Sequence, residues 1–292
     1  VGDGNHLDGA TGSVSVTIKP KEVISPKVTV SGSYPYTGNP QIPADSAVTV
    51  EDGGITIPNT EYTLSCQNNV NAGTATLVIV NANGGNYIVN GIGTFEIAKT
   101  LSTATAPNGL ENLPYIGAEQ ELIQAGSTAD GTMMYSLSET GTYVPVIPTG
   151  KAVGTYTVYY MVQGDGNHTD SAPQSVTASI IPNEVTKPTI QVTPASATFN
   201  GEKQEPTVTV KDDQGRLIDG SEYTVTYLDE NNNSDLIQVG TYVLSITSKG
   251  SNYDFTNAVF DTKFKITPAG QTPLTITGTR EKVYYGDTIQ LG

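Results

Sequence analysis

The 292-residue chain has one cysteine, Cys66, no tryptophan, and no apolar run long enough to cross a bilayer as a helix. Each absence excludes something. A lone thiol cannot close an internal disulfide, so if the chain is secreted it must hold together without that device, which suits a bacterial exterior better than an animal one. The longest apolar stretches, TLVIV at 76–80 and VYYMV at 158–162, fall far short of the ~20 residues of a helical span. Basic residues are scarce, with 14 Lys and Arg against 29 Asp and Glu, and the net charge of −15 argues against nucleic acid or an anionic membrane surface as partner. A basic-then-apolar leader is missing, so the chain is expected to be a piece of something longer. Long amphipathic helical patterns are missing as well.

What the chain does contain is 16 tyrosines, 31 glycines and recurrent alternation of Val, Thr and Ile, the composition of half-buried pleated strands. Internal periods organise it. Three segments read aromatic-x-Gly-x-x-Gln: YTGNPQ, YIGAEQ and FNGEKQ, which carry Gly38, Gly117 and Gly201. Three more open a strand-like run with Gly-Thr, at Gly73, Gly154 and Gly240. Both sets recur with a period of roughly 80 residues, and the first glycine of each unit precedes the second by a nearly constant half-period. A near-match, YYGDTIQ, places Gly286 about one further period on from Gly201. The opening GDGNHLDGATGSVSVTIKPKEV matches GDGNHTDSAPQSVTASIIPNEV without a gap, with Gly2 aligned on Gly164 and Val23 on Val185. That offset is about two periods, so two subtypes alternate.

A period of ~80 residues suits a small self-contained domain better than one solenoid turn. The expected organisation is the tail of a truncated repeat at 1–21, repeats at 22–99 (type B), 100–182 (type A) and 183–268 (type B), and the start of another at 269–292. Linkers are expected at KPKEV, IAKTLS, IPNEV and TPAGQTP, with few contacts crossing them. Runs such as TIQVT, TVTVK, YTVTYL, TYVLSIT and FKIT, separated by Asx, Gly and Pro clusters, are a strand-and-turn grammar. The fold class expected is all-β: tandem immunoglobulin-like antiparallel β-sandwich domains in an extended array. Tyr156 and Tyr242, just after the Gly-Thr turns, are candidates for a tyrosine whose hydroxyl bonds backbone a few residues upstream. Ala75 holds that place in the first repeat. The turn glycines are expected at positive φ or at close chain approaches.

NVNAGTATLVIV, the following GNY and TFEIAK resemble the immunoglobulin-like repeats of bacterial surface proteins, and LTITGTREKVYYGD resembles the related MBG-type repeats. That resemblance implies an extracellular, wall-attached or outer-surface repetitive region of an adhesin-like protein, without catalytic residues.

Candidate sites are few. In the GDGNH loops Asp3, Asn5 and Asp8, and Asp165, Asn167 and Asp170, place oxygens at alternate positions as calcium loops do, yet the later bidentate Glu is missing, and Asp-Gly and Asn are ordinary turn chemistry. His6 and His168 fall in different repeats, too far apart to share a metal, and no nucleophile accompanies His168. Both read as parts of turns. Cys66, in step with Leu64, reads as a buried small hydrophobe. LDENNNSD at 228–235 reads as a hairpin tip, with a cation- or ligand-contacting loop as the alternative. Asn167 and Asn232 match the glycosylation pattern without consequence in a bacterial product. A Lys–Asn isopeptide bond linking Lys27 or Lys187 with Asn90 or Asn257 is conceivable but marked by no motif. Of Tyr159 and Tyr160, alternation turns one outward. No catalytic, cofactor-binding or metal residue is assigned, no cofactor is expected, and the chain is expected to be a monomer and no enzyme. The function expected is a stalk or adhesin region projecting a binding part. Alternatives are a module binding a host or environmental glycan or protein, and accessory repeats of a secreted carbohydrate-active enzyme.

Overall fold

The computed structural model describes residues 13–271. The first GDGNH copy with His6, and the YYGDTIQ segment, lie outside the described residues. Strands dominate, and helical structure among the described residues is limited to two 3-10 turns, Asp45–Ala47 and Asn59–Glu61. Between residues 21 and 98, Lys27–Val30, Val48–Asp52 and Ile55–Thr56 form an antiparallel three-stranded sheet. A four-stranded sheet runs Tyr34–Pro35, Gly91–Ala98, Gly73–Asn81, Tyr62–Gln67. The same arrangement recurs between 183 and 267: Thr189–Thr193, Thr207–Lys211 and Leu217–Ile218 in one sheet, and Ser196–Thr198, Lys263–Thr267, Gly240–Ser248 and Tyr223–Leu228 in the other. Between 100 and 181 the four-stranded order is again Leu113–Pro114, Gln174–Ile181, Gly154–Gly164, Gly131–Ser136, while the second sheet is reduced to the pairs Asn108–Gly109 with Ile123–Gln124 and Gln120–Glu121 with Thr149–Gly150. The chain is an all-β protein of tandem immunoglobulin-like sandwiches.

Alternation in the Gly-Thr strands fixes which face is buried. Ala75, Leu77 and Ile79 point inward in the first, Val158, Tyr160 and Val162 in the second, and Tyr242, Leu244 and Ile246 in the third. The first repeat closes its core with Val50, Ile57, Phe95 and Ile97, and the third with Leu236, Phe264 and Ile266. Each large apolar side chain among them contributes about 1.5–3 kcal/mol by leaving water.

Two compact units divide the chain. One holds the described residues up to Asn112 with Glu119–Gly150 and Thr155–Ser179, and the other holds Leu113–Ala118, Lys151–Gly154 and the described residues from Ile180.

Two expectations need correction. The linker residues are paired: Lys21–Val23 runs parallel to Tyr87–Val89, Thr100–Leu101 to His168–Thr169, and Asn183–Glu184 to Tyr253–Asp254. Their backbone groups find partners on a later loop of the same repeat. The glycine expectation holds for the aromatic turns, where Gly38, Gly117 and Gly201 have φ of 75°, 74° and 81°. It holds for Gly73 and Gly154 but not for Gly240, which does not take the left-handed conformation.

Candidate functional site

The aromatic-Gly turn is built the same way three times. A short parallel pairing with the last strand of its repeat sets the aromatic residue: Tyr36 N–H donates to Ala98 O (2.9 Å), Tyr115 N–H to Ile181 O (2.9 Å) and Phe199 N–H to Thr267 O (2.8 Å). The glycine then takes the left-handed conformation that a Cβ would disfavour. In two of the turns the glutamine closes the loop, with Gln41 Nε2 donating to Thr37 Oγ1 (2.6 Å) and Gln204 Nε2 to Asn200 Oδ1 (2.6 Å).

A second loop in each repeat carries another ring. It reads Gly-Asn-Tyr at Tyr87, Gly-Asn-His at His168 and Ser-Asn-Tyr at Tyr253. The asparagine carbonyl receives the first N–H of the repeat's opening strand each time: Lys21 to Asn86 (2.9 Å), Thr100 to Asn167 (3.2 Å) and Asn183 to Asn252 (2.9 Å). An acid immediately before a strand holds each loop. Glu61 accepts the N–H groups of Asn86 (2.6 Å) and Tyr87 (3.1 Å), and Glu222 accepts Asn252 Nδ2 (2.9 Å). Asp130 accepts through its backbone carbonyl from Asp165 N–H (3.0 Å), and its carboxylate lies 3.6 Å from His168 Nε2. In the local sequence only the Glu-Tyr-Thr shared by the first and third repeats marks this acid.

Glu61 is buried, so neutralising it leaves two loop N–H groups with a weaker acceptor. Glu61→Gln is expected to destabilise the first repeat by about 1–3 kcal/mol and to speed amide exchange at Asn86 and Tyr87. Unchanged exchange at those two amides would show that the carboxylate does not hold the loop.

The rings of the two loops meet. In the first unit Tyr36 lies edge-on to His168, with centroids 5.2 Å apart and planes at 87°. In the second unit Tyr115 meets Tyr253 at 5.4 Å and 87°. Edge-to-face packing at such distances is the favoured arrangement of aromatic quadrupoles. Around His168 the contact is reinforced: Ala72 N–H donates to Asn167 Oδ1 (2.9 Å), Asn167 Nδ2 lies 3.4 Å from Asn71 Oδ1, and Lys99 Nζ donates to Asp165 O (2.8 Å).

His168 is therefore more than part of a turn, and contacts do cross the supposed linker. Its Nδ1 lies 2.7 Å from Asp165 Oδ1, which also accepts the N–H groups of Asn167 and His168. Asp170 Oδ1 accepts Gly164 N–H. The Asp165 and Asp170 oxygens that suggested a cation site are thus engaged with the loop itself, Asn167 Oδ1 is taken by Ala72 N–H, and no cluster of metal-ligating side chains occurs among the described residues. Asp3, Asn5 and Asp8 lie outside them. The Asn167 N–H bond and the imidazole hold Asp165 below the usual carboxylate range, and the Thr103 hydroxyl and N–H do the same for Asp130.

The remaining candidates stand apart from the joint. Cys66 packs half-buried against the first core beside Leu64, and burial pushes its thiol pKa up, away from reactive thiolate. Tyr242 is fully buried with its hydroxyl donating to Gln238 O (2.9 Å), four residues upstream, as the corner expectation required. Tyr156 is half-buried with its ring against Gly150. Tyr160 points inward and donates to Gln174 Oε1 (2.7 Å), while Tyr159 faces an open concavity of about 590 Å³ shared with Tyr156, Leu137 and Glu139. In the 228–235 loop Asp229 Oδ1 accepts from Asn231 and Asn233 (both 2.8 Å), a self-bonded tip. Of the residues considered for a crosslink, Lys27 Nζ lies 3.7 Å from Glu51, Asn90 Oδ1 accepts Asn81 N–H, Asn257 Nδ2 donates to Glu184, and the Lys187 backbone N–H donates to Asp213.

No family model and no curated protein matches the chain. Among solved structures it is similar to FdeC, an Escherichia coli adhesin, at 14% identity over 87% of this chain and 100% of that one, with a TM-score of 0.27. The S-layer protein rSbsC(31-844) is similar at 16% identity over 86% of this chain and 41% of that one, with a TM-score of 0.22. Scores this low leave the fold assignment resting on the strand pairing described above. No helix among the described residues is long and apolar enough to cross a membrane.

Proposed function

We propose that this chain is a non-catalytic spacer: serial immunoglobulin-like repeats, bounded near residues 22–99, 100–182 and 183–268, that hold a binding part away from a bacterial cell surface. The observation that carries this reading is the threefold recurrence of one construction. Each repeat has its own inward strand faces, one aromatic-Gly turn and one ring-bearing loop, and turn meets loop twice through the same edge-on contact. Polar chemistry is used up in holding loops rather than gathered for reaction. The sequence resemblance to bacterial surface repeats points the same way.

A folded repeat of ~80 residues is about 30 Å across, so three in line span roughly 100 Å. Small-angle scattering of the chain is expected to give a maximum dimension near that span. A compact particle of about 60 Å, the size of a single globule of this mass, would overturn the spacer reading. A second reading, glycan binding, is favoured by the outward Tyr159 at the 590 Å³ concavity, which the half-buried Tyr156 also lines. Aromatic faces beside hydroxyls suit sugar stacking, and a glycan array in which Tyr159→Ala removes a signal would establish it.

A further inference from the structure

Resting on the reading of the chain as serial repeats, we propose that residues 13–20 and the loop of Tyr87 form a docking surface for one further sandwich repeat of the 100–182 type, which takes 13–19 as its closing strand and sets its aromatic-Gly turn edge-on to Tyr87. The partner is a sandwich that lacks its last strand and presents a Tyr-x-Gly turn. Residues 13–20 belong to no strand, and Val14, Val16 and Ile18 are 86%, 80% and 91% exposed. Their counterparts in the gapless match are Val176, Ala178 and Ile180 of the strand Gln174–Ile181, where Ala178 and Ile180 are fully buried. Apolar residues at alternate positions mark a strand with one face in a core, and here that core is not supplied.

The joints formed within the chain show where that partner's turn would go. In each, a carbonyl at the end of a closing strand accepts the N–H of an aromatic turn, and the N–H two residues later donates to the asparagine of the next ring-bearing loop. Ala98 O and Thr100 N–H do this where Tyr36 meets His168, and Ile181 O and Asn183 N–H where Tyr115 meets Tyr253. Bonds so close along the backbone bring both rings to one place. Lys19 and Lys21 stand around Pro20 as Ile181 and Asn183 stand around Pro182. Half of the joint is already made, since Lys21 N–H donates to Asn86 O (2.9 Å) beside Tyr87. Lys21 Nζ also reaches Asp52 Oδ2 (2.7 Å), as Asn183 Nδ2 reaches Asp212 Oδ2 (3.1 Å). The other half is open: among the described residues no donor reaches Lys19 O and no second ring meets Tyr87. A turn bonded at Lys19 O arrives at Tyr87. The subtypes agree, because the turn that meets Tyr253, the counterpart of Tyr87, comes from the 100–182 repeat.

The strand also defines the partner's interior. Val14 and Ile18 repeat Val176 and Ile180. Thr17 stands for Ser179, whose N–H donates to Leu110 O (3.0 Å) and whose hydroxyl accepts Asn112 N–H (2.9 Å), so the hydroxyl is kept. Val16 stands for the fully buried Ala178. Extra carbons crowd a closed core, so the partner must leave more room at that point than the 100–182 repeat does.

Fusing a copy of residues 100–162 directly before Val1 puts 1–20 where 163–182 stand in the second repeat, and so presents the partner on the whole chain. Amide exchange reads the outcome. The Thr17 amide is expected to exchange roughly a hundredfold or more slower in the extended chain than in the unaltered one. The Lys21 amide is expected to slow by about three- to tenfold as its joint closes. Tyr87→Ala should cancel that gain, measured against Tyr87→Ala in the unaltered chain, and leave Thr17 protected. Because Val16 overfills the space of Ala178, the same fusion carrying Val16→Ala decides the matter if the first does not fold. A Thr17 amide that stays fast in both fusions, or a Lys21 amide that ignores the added repeat, overturns the proposal. So does concentration-dependent association of the unaltered chain that Ile18→Asp abolishes, since the strand would then belong to a second copy. If the three repeats still unfold as separate events on stretching, such a failure removes the docking surface alone, whereas a single event removes the reading of serial repeats.

Discussion

Replacing Tyr242 with alanine is expected to unfold the third repeat and leave the first intact. The side chain is fully buried among Leu236, Leu244, Phe264 and Ile266, and deleting a buried aromatic ring costs about 3–5 kcal/mol in lost transfer and cavity terms. A small sandwich has roughly 4–12 kcal/mol to lose, so the variant falls to the edge of stability or beyond. Tyr242→Phe keeps the ring and loses only the hydroxyl bond to Gln238 O, a cost of about 1 kcal/mol. Urea unfolding followed by tyrosine fluorescence would give the magnitude, and limited proteolysis its location. Cleavage should concentrate between 183 and 267. The position is not obligatory for the fold, because Ala75 occupies it in the first repeat and is also fully buried. Loss of tyrosine hurts only where the surrounding core has been fitted to a ring.

Asp212→Ala is expected to be nearly as damaging for a different reason. Asp212 is 2% exposed, and its carboxylate accepts four bonds: the N–H groups of Gln214 (3.0 Å) and Arg216 (2.9 Å), Arg216 Nε (2.7 Å) and Asn183 Nδ2 (3.1 Å). Removing it leaves the buried Asn183 amide and two backbone N–H groups without their acceptor, at about 1–3 kcal/mol for each donor that water cannot reach, while the partly exposed Arg216 guanidinium can turn to solvent. Asp212→Asn retains acceptor capacity and should cost about 1–2 kcal/mol. The damage should also reach the ring-bearing loop, since Asn183 N–H bonds Asn252 O next to Tyr253. Amide exchange at Asn183 and Val185 would show it, and protected amides there in Asp212→Ala would confine the network to its own turn.

The periodic parts were legible in the sequence because backbone conformation demanded particular residues at fixed intervals. Gly38, Gly117 and Gly201 need the left-handed region, and the inward face of each Gly-Thr strand needs apolar alternation, so both left marks in step. The acid that holds each ring-bearing loop left no such mark. Glu61, Asp130 and Glu222 precede Tyr87, His168 and Tyr253 by unequal intervals, because the intervening strands and loops differ in length. Only the Glu-Tyr-Thr shared by the first and third repeats hinted at it. The joint was less visible still. Tyr36 and His168 stand more than a full repeat apart in the chain, and nothing in either local motif names the other. At the expected linkers composition showed only Pro, Lys and polar residues, while the backbone N–H groups there required partners and found them on the Asn-ring loops. A recurring asparagine before each ring was the one available signal, and its meaning depends on a carbonyl position that sequence does not display.

Single-molecule stretching of the whole chain tests the central claim most directly. If each repeat buries its own core, pulling will give separate unfolding events, each releasing about 230–260 Å, the contour of ~80 extended residues less the folded length. One event releasing several times that length would mean a shared interior, and the account of serial repeats would be wrong.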